Sequence, residues 1–323
     1  MDYAPIIIGT LCRFEHFKEA IESLERNPWA QCTNIYIGVD HPTKEAHWGG
    51  YRKIVEYVNT HTFRFKSAKI FIREENFGPD RNFDDLRAAA FEENGMVIST
   101  EDDNVFSPNF LEYMDTMLNL YKDAEDVIAV CGYSYPIAWK DYGSGYVLNR
   151  NFFSAWGWAS WKSKWEKEQC SITPEYFREI VRDKSRLKKI RADAPKSYYY
   201  LMRMVGKKQI SATDVTISIY MSDHGFCCVM PTLSMVRNCG WDGSGINCDD
   251  TLQYDPQTQK IENNETIQPP DVQKIQVDRE NMEKLNALFA VKGTEKMIPR
   301  MIEAGVWLIG TDNYCKLRNR IKG

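Results

Sequence analysis

Between Pro5 and Gly132, short β-branched apolar runs alternate with stretches whose apolar residues recur at helical spacing. That alternation leaves a chain few architectures, because strands joined through helices of roughly ten to fifteen residues pack as a parallel sheet. Pro5 to Thr10 is the first run, and Phe17, Ala20, Ile21 and Leu24 follow it at i, i+3, i+4 and i+7. Asn34 to Asp40 reads as a second strand, Tyr51, Ile54, Val55 and Val58 as a helix face, and Lys69 to Ile72 as a third strand. A helix near Phe83 to Asn94 stops at Gly95, and Met96 to Thr100 is a short apolar strand. Ser107-Pro108 reads as the cap of a helix running through Tyr121, and Val127 to Gly132 as the next strand. The fold class predicted is α/β: a mixed, mainly parallel sheet with helices on both faces. From about Thr251 to Glu280 the chain turns polar and rich in Pro, Asn and Gln. The reading is therefore one compact domain over 1–250 and a polar arm over 251–323, in which Met297 to Gly323 is a helix packing back.

Composition narrows the function classes. With 41 Lys+Arg against 45 Asp+Glu the formal net charge is −4, which removes the basic footprint of a duplex-binding protein, so no nucleic-acid partner is expected. A 27% charged fraction alongside 13% aromatics is not the composition of a disordered tail. Asp2 and the three-residue apolar stretch Ile6 to Ile8 do not resemble a secretory leader. No apolar stretch approaches the roughly 20 residues needed to span a bilayer. The nine cysteines are scattered, with Cys227 and Cys228 adjacent, and read as reduced thiols of a cytoplasmic protein. Any membrane contact would be peripheral. Arg182 to Arg191 and Lys316, Arg318, Arg320 and Lys322 are the segments that would touch an anionic leaflet, or else they are scattered solvated charges.

In open α/β sheets, ligands bind beyond the carboxyl ends of the strands. Asp40 ends the second strand, and Glu101-Asp102-Asp103 ends Met96 to Thr100. Three adjacent carboxylates repel one another, and a hard divalent cation such as Mg²⁺ or Mn²⁺ would relieve that cost; a solvated acidic loop is the other reading.

The surroundings carry more. Val97 to Met114 (V-I-S-T-E-D-D-N-V-F-S-P-N-F-L-E-Y-M), then Val127 to Gly132, then Asn151 to Trp165 (N-F-F-S-A-W-G-W-A-S-W-K-S-K-W) resembles the N-acetylglucosaminyltransferase I family and related nucleotide-sugar glycosyltransferases of the GT-A fold, over roughly residues 5 to 250. The resemblance implies a GT-A-like, Rossmann-related sheet and a nucleotide-sugar donor, most often a UDP-sugar. It implies that Asp103 binds the Mn²⁺ or Mg²⁺ bridging the donor diphosphate. Asp102 would lie near the ribose or metal-bound water, and Glu101 would reach a hydroxyl of the donor sugar. Arg13 and Asp40 occupy the places of the family's nucleotide-holding arginine and aspartate, although Cys12 stands where the family has an aspartate.

The family's general base is an aspartate opening a downstream helix. Asp214 in S-A-T-D-V-T-I-S-I-Y matches best, with Asp223 as a second candidate; Asp214 also reads as a helix N-cap, and the family's Trp-Asp-Asp-Trp setting is absent. Asn238 to Cys248 (N-C-G-W-D-G-S-G-I-N-C) places glycines, among them Gly243 and Gly245, where a lid over the diphosphate or an ordinary turn would form. Trp156 and Trp158 are candidates for an apolar wall against a sugar ring, or for the core. The expected reaction is transfer of the sugar to a hydroxyl of a glycan or glycolipid acceptor, with inversion. The alternatives are a sugar nucleotidyltransferase, which would show a richer glycine loop than Gly9-Thr10-Leu11-Cys12-Arg13, and a non-catalytic carbohydrate-binding module.

Overall fold

The computed structural model describes residues 2–169, 172–207, 212–243 and 276–289. The chain divides into two compact units. One comprises Met1–Leu148, Ser154–Glu166 and Cys228–Val277; the other comprises Asn149–Phe153, Lys167–Cys227 and Asp278–Gly323. The domain boundary read near Asp250 and the helix read at Met297 to Gly323 lie outside the described residues.

The first unit opens as the alternation predicts: β1 (Ile6–Thr10), α1 (Phe14–Glu25), β2 (Asn34–Val39), α2 (Trp48–Thr60), β3 (Ser67–Ile72), α3 (Gly78–Glu93) and β4 (Met96–Glu101). It continues through β5 (Asn104–Phe106), α4 (Phe110–Leu120), β6 (Val127–Cys131), β7 (Tyr146–Asn149) and β8 (Trp158–Trp161). After α5 (Lys162–Gln169) the second unit holds α6 (Pro174–Arg182), α7 (Lys184–Asp193), α8 (Lys196–Gly206) and α9 (Thr213–His224), and later α10 (Arg279–Leu288). Between α9 and α10 come β9 (Cys227–Pro231) and β10 (Val236–Asn238).

Eight strands form one mixed sheet in the order β3-β2-β1-β4-β8-β6-β9-β7. Its first four are parallel: Ile6 lies opposite Ile35 on one side and Ile98 on the other, and Asn34 lies opposite Ser67. The strand β8 then runs antiparallel to both β4 and β6. Side chains alternate between the two faces of a strand. On one face Ile7, Tyr36 and Val97 pack with Leu86, Ala90 and Phe91 of α3. That helix sits close because β2 has a glycine under it: a Cβ on Gly38 would stand 2.5 Å from Asn82 Oδ1, and Asn82 Nδ2 donates to the Gly38 carbonyl at 3.0 Å. Residues one step along, such as Ile35 and Ile37, turn to the opposite face, where α2 lies against β2 and α1 against α2.

Two local expectations change. Ser107 does not cap α4: its hydroxyl donates to Asn109 Oδ1 at 2.9 Å and its carbonyl accepts from Phe110 N, so the helix begins three residues later. The residues before it, 104–106, form β5, paired antiparallel with β10 (Asn238 opposite Asn104) in a separate two-stranded sheet. Gly95 likewise does not close α3 in a left-handed turn; the extended Asn94 ends the helix, its N–H donating to Ala90 O at 3.1 Å. No described helix is long and apolar enough to cross a membrane.

Candidate functional site

The order β2-β1-β4 makes the carboxyl end of β1 a switch point: the chain leaves β1 for a neighbour on one side and returns to a neighbour on the other. In such sheets a crevice opens there. Thr10 to Arg13 run out of β1 into this crevice, and Glu101 to Asp103 run into it from β4.

The two segments are tied by charge. The Arg13 guanidinium forks between two carboxylates: Nη1 donates to Asp103 Oδ2 at 2.7 Å, and Nη2 donates to Asp102 Oδ1. The remaining oxygens are also engaged, because Thr10 Oγ1 donates to Asp102 Oδ2 at 2.7 Å and Asn238 Nδ2 donates to Asp103 Oδ1 at 2.9 Å. Both aspartates are 5% exposed, which is rare for charged side chains that are not paired. Burial pushes the Asp102 carboxyl up, against the pull of Arg13. Burial also opposes the charge on Arg13, but Asp102 and Asp103 outweigh it and raise the guanidinium above its ordinary value. Glu101, at the end of β4, is exposed.

The loop after β10 closes over Asp103. Cys239 N donates to the Asp103 carbonyl at 2.7 Å, and Gly240 N to Asn238 Oδ1 at 3.1 Å. A Cβ on Gly240 would overlap Asp103 Oδ2 and lie 3.4 Å from Arg13 Nη1, so only glycine lets the backbone come this near. Gly243 takes a left-handed conformation at φ 79°, and Gly245 lies outside the described residues. His16 Nε2 reaches Asp242 Oδ2 of this loop at 3.0 Å. Thr10 has no signal in the sequence beyond ending the first strand, whereas Asn238 and Gly240 open the segment Asn238 to Cys248 read as a lid or a turn, and the pairing of β10 with β5 brings them to Asp103.

Asp40 is buried at the end of β2, yet it is turned to its own chain. Its Oδ1 accepts from Phe77 N at 2.8 Å and His41 N at 2.9 Å, while Oδ2 accepts from Gly78 N at 2.9 Å and Asn76 Nδ2 at 3.1 Å. Three of these bonds make it the fastening of the loop that leads into α3.

The tryptophans separate. Trp158 lies in β8, 5% exposed, its ring 5.3 Å from that of Trp165. Trp156 is half-buried; its ring stands edge-on to Tyr133 at 4.7 Å and to Trp241 of the glycine loop at 6.2 Å.

In the second unit, Asp214 is the second residue of α9, and Ala212 holds the cap position with no side-chain cap. The Asp214 side chain has solvent access, while the protein crowded around it pushes its carboxyl above the ordinary aspartate value. Asp223, at the other end of the same helix, accepts from Tyr176 Oη at 2.6 Å and from Arg186, and these partners overcome its burial to hold its carboxyl below the ordinary value. The exposed face of α7 carries Lys184, Lys188 and Arg191 around Leu187 and Ala192, which together line a surface concavity.

Among the described residues no three His, Cys, Asp or Glu side chains converge on one point where an ion would sit. The chemistry of Asp103 nevertheless suits a hard cation. Each of its oxygens accepts one side-chain hydrogen bond and keeps a second lone pair, and the bare backbone of Gly240 leaves the space a Cβ would fill. A cation here would draw most of its ligands from a bound phosphate and water.

No family model and no curated protein matches this chain. Solved structures similar to it include S. aureus TarS 1-349, at 12% identity over 52% of this chain and 49% of that one, with a TM-score of 0.36. The same protein in complex with UDP-GlcNAc gives 15% identity over 43% and 37%, with a TM-score of 0.31. The mannosyltransferase PcManGT from Pyrobaculum calidifontis, in complex with GDP-Man and Mn²⁺, gives 11% identity over 69% and 68%, with a TM-score of 0.42. The chain thus spans about half or less of the TarS structures it resembles.

Proposed function

We propose that this chain is a metal-dependent, inverting glycosyltransferase that moves a sugar from a nucleotide-sugar, most readily a UDP-sugar, to a hydroxyl of a glycan or lipid-linked acceptor. The observation that carries the reading is the buried acid pair Asp102 and Asp103, held at the switch point by Arg13, Thr10 and Asn238. Asp103 would hold Mn²⁺ or Mg²⁺ together with the donor's phosphate oxygens, and the bound ion supplies charge stabilisation for the leaving diphosphate. Arg13 and Asp102 border the same phosphates and ribose, and Glu101 accepts from a hydroxyl of the donor sugar. Asp40 contributes by fixing the loop at Asn76 to Gly78 on the nucleotide side. The loop with Gly240 and Gly243 covers the donor and excludes water, and Trp156 offers an apolar edge to a sugar ring.

Asp214 takes the acceptor's hydroxyl proton on its carboxylate. Its raised carboxyl favours that role, because a base works best when its affinity for the proton approaches the working pH. A single displacement then inverts the anomeric centre. Contact with an anionic membrane surface, through Lys184, Lys188 and Arg191, would bring a lipid-linked acceptor within reach of a cytoplasmic enzyme.

Incubation with a panel of UDP-sugars and Mn²⁺ tests the reading. Slow release of UDP and free sugar is expected, and Asp103→Ala should abolish it. Pyrophosphate-dependent chemistry would instead identify a nucleotidyltransferase. Sugar binding without turnover of any donor would leave a carbohydrate-binding module.

A further inference from the structure

Each of the four oxygens of Asp102 and Asp103 accepts a hydrogen bond from a side chain of the protein itself, and two of these four bonds come from one guanidinium. We infer that Arg13 is the resident counter-cation of this acid pair, and that it exchanges with the divalent ion when the donor arrives, its freed guanidinium then bonding the donor diphosphate. The inference rests on the proposed function for the identity of the donor, but the first half of the exchange is a property of the free protein.

The physical case is one of charge in a confined space. Two carboxylates at 5% exposure repel strongly unless a positive group lies between them, and Arg13 supplies one on a planar fork that spans both. A divalent ion approaching Asp103 Oδ2 meets that guanidinium at 2.7 Å from the same oxygen, a like charge already in contact with its ligand. Ion binding to the free protein is therefore opposed, and it becomes favourable only when a diphosphate brings negative charge for both cations. Arg13 is equipped to move: its side chain is 22% exposed, against 6% and 7% for the two acids, so it is the member of the cluster that solvent and an incoming phosphate can reach. Thr10 and Asn238 keep their bonds to the aspartates during the exchange, so the acids stay in place when the guanidinium leaves. In this role Arg13 is a positioning residue with respect to the ion and a direct ligand of the diphosphate.

Mn²⁺ binding followed by electron paramagnetic resonance, on the full chain without any sugar donor, tests the exchange. Wild-type protein is expected to bind Mn²⁺ weakly and to gain at least about tenfold in affinity when UDP is added. Arg13→Gln, which keeps a planar amide donor but removes the charge, is expected to gain about tenfold or more without UDP, and to lose UDP affinity. Arg13→Lys, which retains the charge, should stay within about threefold of wild type. A folded Arg13→Gln protein that binds Mn²⁺ no better than wild type overturns the inference. So does a tenfold gain in Arg13→Lys, since removal of charge would then not be the cause. If Arg13→Gln does not fold, wild-type protein that binds Mn²⁺ equally well with and without UDP also overturns it. Failure of the glycosyltransferase reading looks different: no UDP-sugar is turned over, while the gain in Arg13→Gln persists.

Discussion

Asp115 offers a measurable consequence of how the sheet is anchored. It lies in α4 with no exposed surface, and its Oδ1 accepts the Ala4 N–H at 2.8 Å, pinning the start of β1, the strand that delivers Thr10 and Arg13 to the site. Its Oδ2 is buried with no hydrogen-bond partner among the described residues. Burial pushes the carboxyl from an ordinary 3.8 to about 7, with the Ala4 bond pulling weakly the other way. For an acid raised in this way the folded protein holds its proton longer than the unfolded chain does. Stability is therefore full below about pH 4 and is lost as the pH rises toward the folded value. At about 1.4 kcal/mol for each tenfold of proton affinity, the loss totals about 4 kcal/mol above pH 8, with about 2–3 kcal/mol of it falling between pH 5 and pH 8. Asp115→Asn keeps the acceptor for Ala4 and removes the titration. Urea unfolding across this range should show the variant gaining on wild type by about 2–3 kcal/mol as the pH rises from 5 to 8. Parallel pH dependences for the two proteins would refute the argument, because the buried carboxyl would then not be what titrates.

Three further outcomes follow from the geometry. Gly240→Ala places a methyl group against Asp103 Oδ2 and should lower donor turnover at least about tenfold, at a cost of about 1–3 kcal/mol, the range for overpacked sites; unchanged kinetics would mean that the loop does not hold this position in solution. Asp214→Asn should reduce transfer by about 10²–10⁴-fold, the range for loss of a general base. In wild type, kcat/KM should fall with decreasing pH through a value above that of an ordinary aspartate, and that acid limb should vanish in the variant. Changing Lys184, Lys188 and Arg191 together to Glu should release the protein from vesicles of anionic lipid in a low-salt flotation assay; wild-type protein that stays unbound removes the membrane contact.

The parallel half of the sheet was legible because its strands are short, β1 is apolar on both faces, and each strand is separated from the next by a helix with its own period, as Ile6 to Thr10 and Phe17 to Leu24 illustrate. Beyond β4 only part of the sheet was legible: Val127 to Gly132 reads as a strand and is β6, whereas β7 and β8 leave no such signal. Tyr146 to Asn149 and Trp158 to Trp161 are four residues each, too short for alternation to stand out, and Trp158 gives no hint of its burial when Trp156, Trp161 and Trp165 surround it in sequence. At the site, the acid triplet and Arg13 were visible as residue types, but their pairing spans about ninety positions and depends on β1 lying beside β4. Asp40 shows the opposite limit. Its place at a strand end was read correctly, while its three hydrogen bonds to the loop that follows β3 are a matter of tertiary structure alone.

Stability does not account for the way Asp102 and Asp103 are held. A buried ion pair or triad is commonly no more stabilising than well-packed apolar residues of the same volume, since the desolvation of each charge consumes most of the Coulombic gain. Here two acids share one arginine, so the cluster keeps a net negative charge in a confined site, and burial has already raised the Asp102 carboxyl. Elsewhere in the same unit charge is handled more cheaply: Arg73 meets Asp85 and Arg87 meets Asp84, each one acid to one base, with the carboxylate reaching solvent. The uncompensated charge at the end of β4 is thus a cost that folding alone gives no reason to bear. The proposed function supplies a reason: a second positive charge, a cation carried in by a phosphate, would offset it.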